Sequence, residues 1–141
     1  VGDCEVLSFA ASLCYATASE HAIVEARRFF TAAVNHLHPD ARVRIQAPVT
    51  VQAVVTDDPE ARLLRVHLLN YSSPPQTTPV SNRPYILPAL MEDAPSYRAV
   101  VSASTDLQNA SAFNPDTRVT WKGRQVEAFI NDVHDVLLLT Y

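Results

Sequence analysis

His36, His38 and Asp40 are the nearest thing in this sequence to a metal-binding cluster. On a helix, positions two apart diverge by roughly 200 degrees, so the two imidazoles cannot share an ion while the helix persists. Histidines in a last helical turn also gain from the carbonyl end of the dipole, which gives both a structural reading. His21 and Glu25 stand four apart, but the second histidine of a zinc-protease helix is absent. Such a pair reads as a solvated contact along one helix face. Glu20 and Glu25 offer two carboxylates, with no second element to bring a substrate between them. Ser8, Ser12 and Ser19 lack the strand-turn-helix setting of a nucleophile elbow, and no thiol-protease motif surrounds Cys14. No catalytic, cofactor-binding or metal site is expected, and the chain is read as a non-enzyme.

Binding chemistry has better candidates. Trp121, with Tyr85, Tyr97 and Tyr71, could form a sugar-stacking platform, because pyranose C–H faces pack on aromatic rings as other apolar surfaces do. Trp121 adjoins an expected hairpin turn, and His67 and Asn70 punctuate a strand-like run. The competing reading places these rings in the core or rim of a sheet, with His67 on an outer face and Asn70 at a strand end. Trp121, Tyr85, Tyr97 and His67 are the residues expected to meet a sugar or a protein partner.

Composition narrows the classes. A chain of 141 residues with 48% hydrophobic residues can bury one domain's core. A formal charge of -4 argues against the basic stripe that phosphate backbones require, so nucleic acid is not an expected partner. With only Gly2 and Gly123, glycine-rich phosphate loops are excluded. Cys4 and Cys14 are too few to staple a domain of this size and read as free thiols. No apolar run reaches membrane-spanning length and no export signal opens the chain, so a soluble protein is expected, with the cytoplasm favoured. Asn70-Tyr71-Ser72 and Asn109-Ala110-Ser111 match the glycosylation pattern at about the frequency chance allows.

The elements that must position these residues show in the apolar spacing. Val6-Leu7-Ser8-Phe9 fits a short buried strand. Thr17-Ala18-Ser19-Glu20 has capping-box spacing, and Ala22, Ala26, Phe29, Phe30, Ala33 and Leu37 then form one helical stripe closed by Pro39. From Arg42 the period changes to two. Val49 to Val55 and Leu64 to Leu69 form an expected hairpin about the turn Asp57-Asp58-Pro59-Glu60. Residues 72–95 carry six prolines and read as a long excursion anchored at Tyr85-Ile86-Leu87. Pro75 and Pro79 are spaced wrongly for a polyproline ligand. Strand character returns at Tyr97 to Ser104 and Thr117 to Trp121. Lys122-Gly123 marks a tight turn, and Val126 to Ile130 and Val133 to Tyr141 follow, the last apolar enough to be covered on both faces. The prediction is a mostly β fold, an antiparallel β-sandwich of roughly six to eight strands preceded by one strand and one amphipathic α-helix. Residues 1–40 hold the strand and helix; residues 41–141 hold the sandwich.

The ordered motifs resemble a known family. Ala47-Pro48-Val49-Thr50-Val51 followed by Val66-His67-Leu68-Leu69-Asn70-Tyr71 resembles the start of the C-terminal β-sandwich in bacterial glycoside hydrolases of the β-galactosidase-like kind. Ile130-Asn131-Asp132-Val133-His134-Asp135-Val136-Leu137-Leu138-Leu139 is similar to the closing strand of those domains. Gly2 to Leu37 looks like the last strand and helix of the glutamine-amidotransferase-like domain that precedes the sandwich, a domain that helps build a trimer and has no working amidotransferase site. Residues 72–120 match poorly. The resemblance places the two catalytic glutamates in an N-terminal TIM barrel outside this chain. It implies a noncatalytic accessory domain whose partners are other domains or subunits of a parent glycosidase. A carbohydrate-binding module and a stand-alone interaction domain are the alternatives. The apolar faces of the N-terminal strand and helix are expected to fold onto the sandwich or to pair with another copy, giving a homo-oligomer.

Overall fold

Leu64, Val66 and Leu68 alternate with Arg65, His67 and Leu69, and in the computed structural model the first three are fully buried at the centre of a β-sandwich. The structure describes residues 6–9, 24–70 and 95–141. By internal contacts the chain divides into two units, Val1–Ala41 and Arg42–Tyr141. The first unit contains helix α1 (Val24–Leu37). The expected capping box at Thr17, Cys4, Cys14 and the proline-rich stretch with Tyr85 lie outside the described residues. In α1, Phe29, Phe30, Val34 and Leu37 are exposed, and Phe9 meets Phe29 edge to face with ring centroids 5.4 Å apart. No helix among the described residues is long and apolar enough to cross a membrane.

The second unit has eight strands: β1 (Val43–Gln46), β2 (Val51–Asp58), β3 (Leu63–Asn70), β4 (Tyr97–Ala103), β5 (Asn109–Ala112), β6 (Arg118–Lys122), β7 (Gln125–Ile130) and β8 (His134–Thr140). They form two four-stranded sheets in the orders β1-β4-β7-β6 and β2-β3-β8-β5, with every neighbouring pair antiparallel. The mostly β, two-sheet architecture expected from the alternation is what the chain adopts. Leu64, Val66, Leu68, Leu137 and Leu139 from one sheet face Ala99, Val101, Val126, Ala128 and Ile130 from the other. Small alanines paired at Ala99 and Ala128 let the two layers close over the leucines opposite.

Local differences from expectation have local causes. The first hairpin turns at Pro59–Arg62 rather than at 57–60, because Asp57 and Asp58 still pair with Leu64 and Leu63. Asp58 accepts a bond from the Ala61 amide at 3.1 Å and from Arg65 at 3.3 Å, which hold its carboxyl below the usual range. Arg62 takes a positive φ of 50° to complete the turn. The second tight turn is Gly123-Arg124, one residue later than expected, since Lys122 still pairs with Gln125. Gly123 has φ +58°, the left-handed geometry in which a side chain is strained. Strand β8 is covered on one face only: Leu137 and Leu139 are buried, whereas Val136 and Leu138 are half-buried on the outer face. Asn70 is buried at the end of β3, where its amide donates to the Val133 carbonyl.

Candidate functional site

Strand pairing sorts the side chains of each sheet into an inner and an outer face, and the two outer faces differ in chemistry. On the β2-β3-β8-β5 sheet, one row runs Val54, His67, Val136, and the next runs Gln52, Leu69, His134. Phe113 extends the first row past β5, its amide donating to the Val136 carbonyl at 2.8 Å. His67 and His134, diagonal neighbours on adjacent strands, stack with centroids 5.8 Å apart and planes 9° from parallel. Two shallow depressions share His134. One, of about 500 Å³, includes Val54, His67 and Leu69; the other, of about 420 Å³, includes Phe113, Asp132 and Val136.

The outer face of the β1-β4-β7-β6 sheet is cationic. Its rows are Arg98, Phe129, Arg118, then Gln46, Val100, Glu127, Thr120, then Arg44, Ser102, Gln125, Lys122. Four cations therefore share this face with one carboxylate, Glu127, which is ion-paired to Arg98. A depression of about 240 Å³ here is lined by residues including Arg98, Thr120, Trp121, Lys122, Gln125 and Glu127. The chain as a whole is acidic, so the concentration of positive charge here is a product of the sheet's register.

A third polar group sits inside the sandwich at the end where β8 begins. Asp135 is 2% exposed and accepts from the Asn114 amide at 3.0 Å and from the Thr117 hydroxyl, its own neighbour Val136 adding an amide at 2.7 Å. Asp132 accepts from Asn114 Nδ2 at 3.3 Å. The Tyr97 hydroxyl is buried and has no hydrogen-bond partner among the described residues. Burial, reinforced by the negative charges of Asp135 and Asp132, pushes that phenol up to about 12. Asp135 already serves as acceptor to fixed donors, so the group closes the end of the core and offers no open acid for catalysis.

Of the four residues singled out for contact, the three described ones do not share one face. Trp121 pairs with buried Val126 on the edge strand β6, is 40% exposed, and borders the depression of the cationic sheet. Tyr97 pairs with Ile130 and is in the core, and His67 is on the outer face of the opposite sheet. Tyr85 lies outside the described residues. Sequence reasoning missed His134, Phe113, Phe129 and the cationic rows. Their only signal was alternation within each strand, and nothing local told which strands would be neighbours. Among the described residues no group of three or more histidine, cysteine, aspartate or glutamate side chains is arranged to hold a metal ion.

The fold and faces define a β-sandwich with one cationic outer surface and one mixed surface that carries an apolar strip. No protein-family model matches the sequence, and the search of curated proteins gives no match. Among solved structures, the chain is similar to α-L-fucosidase isoenzyme 2 from Paenibacillus thiaminolyticus, with a TM-score of 0.58 at 17% identity. The likeness covers 91% of this chain and 19% of that enzyme's, so the chain spans about a fifth of its length. At this identity the similarity is one of fold. The neighbour is a fucosidase, not a β-galactosidase, and what it shares with this chain is the sandwich fold.

Proposed function

We propose that residues 42–141 are a noncatalytic accessory sandwich of a longer glycoside hydrolase, and that the β2-β3-β8-β5 sheet packs against the rest of that enzyme. The observation that carries this reading is edge strand β2. Its central residues are exposed on both faces, yet Val54 on the outer side is 50% exposed and Val55 on the inner side 39%. An apolar edge open on two faces is a template for unwanted strand pairing, and natural sheets cover, charge or interrupt such edges. Among the described residues nothing covers Val54-Val55, and the charges of β2, Asp57 and Asp58, stand only at its end. With Phe113 at 79% exposure at the far end of the same row, the surface is continuous enough to be the contact half of a domain interface.

The fucosidase likeness supports the choice of parent, because a domain matching only 19% of that enzyme has a large remainder available as a neighbour. The exposed helix residues Phe29, Phe30 and Leu37 would serve the same assembly or a second copy of the chain. Reading the gene upstream tests the first half of the proposal: a long coding region with barrel-like strand and helix alternation is expected, and its absence would sink the assignment. The second half is tested in the longer protein by Val54→Asp with Phe113→Asp. The pair should lower the melting temperature and expose the sandwich to protease, whereas unchanged melting and cleavage would rule out docking through this sheet.

A further inference from the structure

We infer that the outer face of the β1-β4-β7-β6 sheet binds an acidic oligosaccharide, one whose sugar units carry carboxylate or sulfate groups. This goes beyond the packing role, which uses the opposite sheet, and does not depend on it.

Charge is the first argument. Arg44, Arg98, Arg118 and Lys122 come from three strands to one face whose sole carboxylate, Glu127, is already paired with Arg98. Neither Arg118 nor Lys122 makes a salt bridge with a described residue. In a chain with formal charge -4, Arg118 and Lys122 are left facing solvent or a ligand of opposite sign, on a face that Arg44 and Arg98 also make positive. Spacing is the second. Neighbouring strands lie about 4.8 Å apart, so Arg98 and Arg118, two strands apart in one row, stand roughly 10 Å apart at the backbone. Long guanidinium side chains at that separation can reach charges on neighbouring units of a polymer as well as a single anion.

The surface between the cations argues for sugar over other polyanions. Phe129, 42% exposed, lies in register between the two arginines and offers a ring face for pyranose C–H groups. Beside it, the depression of about 240 Å³ is lined by Thr120, Gln125 and Glu127 as well as Arg98 and Lys122. That volume leaves room for one sugar ring. Its hydroxyl, amide and carboxylate groups can pair with sugar hydroxyls, and Glu127 accepts while Arg98 balances its charge.

The chain as it stands is titrated calorimetrically with oligogalacturonate and heparin-derived oligosaccharides. Neutral xylo-oligosaccharides, polyglutamate and single-stranded DNA serve as comparison ligands. Binding of at least one acidic glycan is expected, weakening as salt rises, with the comparison ligands at least tenfold weaker. Arg118→Glu with Lys122→Glu should abolish binding, and Phe129→Ala should weaken it at least fivefold at unchanged salt dependence. Melting temperatures within a few degrees of the parent chain confirm that the variants fold, and should Phe129→Ala fail this check, Phe129→Leu replaces it. Flat titrations with every acidic glycan would overturn the inference. So would comparison ligands binding equally well, or variants that fold and bind like the parent. Because the measurement needs no neighbouring domain, its failure leaves the packing proposal untouched.

Discussion

The phenol of Tyr141 donates to Asp57 Oδ1 at 2.9 Å, tying two residues 84 positions apart. Arg42 completes the clasp: its Nε lies 3.0 Å from Asp57 Oδ2 and its guanidinium stacks 4.4 Å from the centre of the Tyr141 ring. Arg42 precedes β1 and Asp57 belongs to β2, so the three side chains fasten the two sheets to each other at one end. The group is partly exposed, and exposed ion pairs contribute little by themselves. The ring and the shared carboxylate contribute more. Tyr141→Phe is expected to cost about 1 kcal/mol in urea denaturation. Tyr141→Ala, which also removes the surface under Arg42, is expected to cost about 2 kcal/mol. Equal stability of all three proteins would show that the clasp forms without holding anything.

At the other end, Asp135 is the residue on which the buried polar group depends. Removing it leaves the Thr117 hydroxyl and the Asn114 amide facing each other without an acceptor. Asp135→Ala should destabilise the sandwich by about 3 kcal/mol, and Thr117→Val by less, because that change removes one donor and keeps its shape. Equilibrium unfolding followed by Trp121 fluorescence reads both.

Tyr97 gives the fold an alkaline limit. Its folded value of about 12 lies above the ordinary value of 10, so the folded protein keeps a proton that the unfolded chain gives up. Its contribution is complete below about pH 10 and is lost as pH rises through about 12. Ultraviolet titration should show one of the five tyrosines ionising late, together with loss of the fold. Tyr97→Phe removes an unpartnered buried hydroxyl and should leave neutral-pH stability unchanged or higher by about 1 kcal/mol, while flattening the alkaline decline.

Gly123 isolates a backbone effect. A Cβ added there meets nothing within 4 Å, so any cost of substitution arises from φ +58° alone. Gly123→Ala should cost about 1 kcal/mol and Gly123→Asn distinctly less, because asparagine tolerates the left-handed region. Thermal melts of the two variants separate the effects. Identical losses would point to a cause outside the turn's conformation.

How far the sequence reached depended on whether a feature was local. Period-two alternation in 64–69 and 126–130 announced β3 and β7 because each strand has one side in oil and one toward water, a pattern written residue by residue. The turn glycine was legible for the same reason. Strand β1 was marked only by the change of period at Arg42, and β5 not at all, since Asn109-Ala110-Ser111-Ala112 has no β-branched residue. Pairing with β8 makes β5 a strand. In β8 itself, apolar residues occupy both parities, and only the sheet opposite decides that Leu137 and Leu139 enter the core while Val136 and Leu138 remain outside.

The candidate surfaces belong wholly to tertiary structure. Arg44 and Lys122 are far apart along the chain, and come into one row only when the register aligns Ser102 with Arg44 and Gln125, and Gln125 in turn with Lys122; Arg98 and Arg118 meet in another row through Phe129. By itself the sequence determined that this chain builds two layers of strands, because alternation is fixed by how each residue partitions between water and core. The charge on one outer face and the apolar edge on the other were decided by which strands lie side by side, an outcome of long-range packing that no local spacing records.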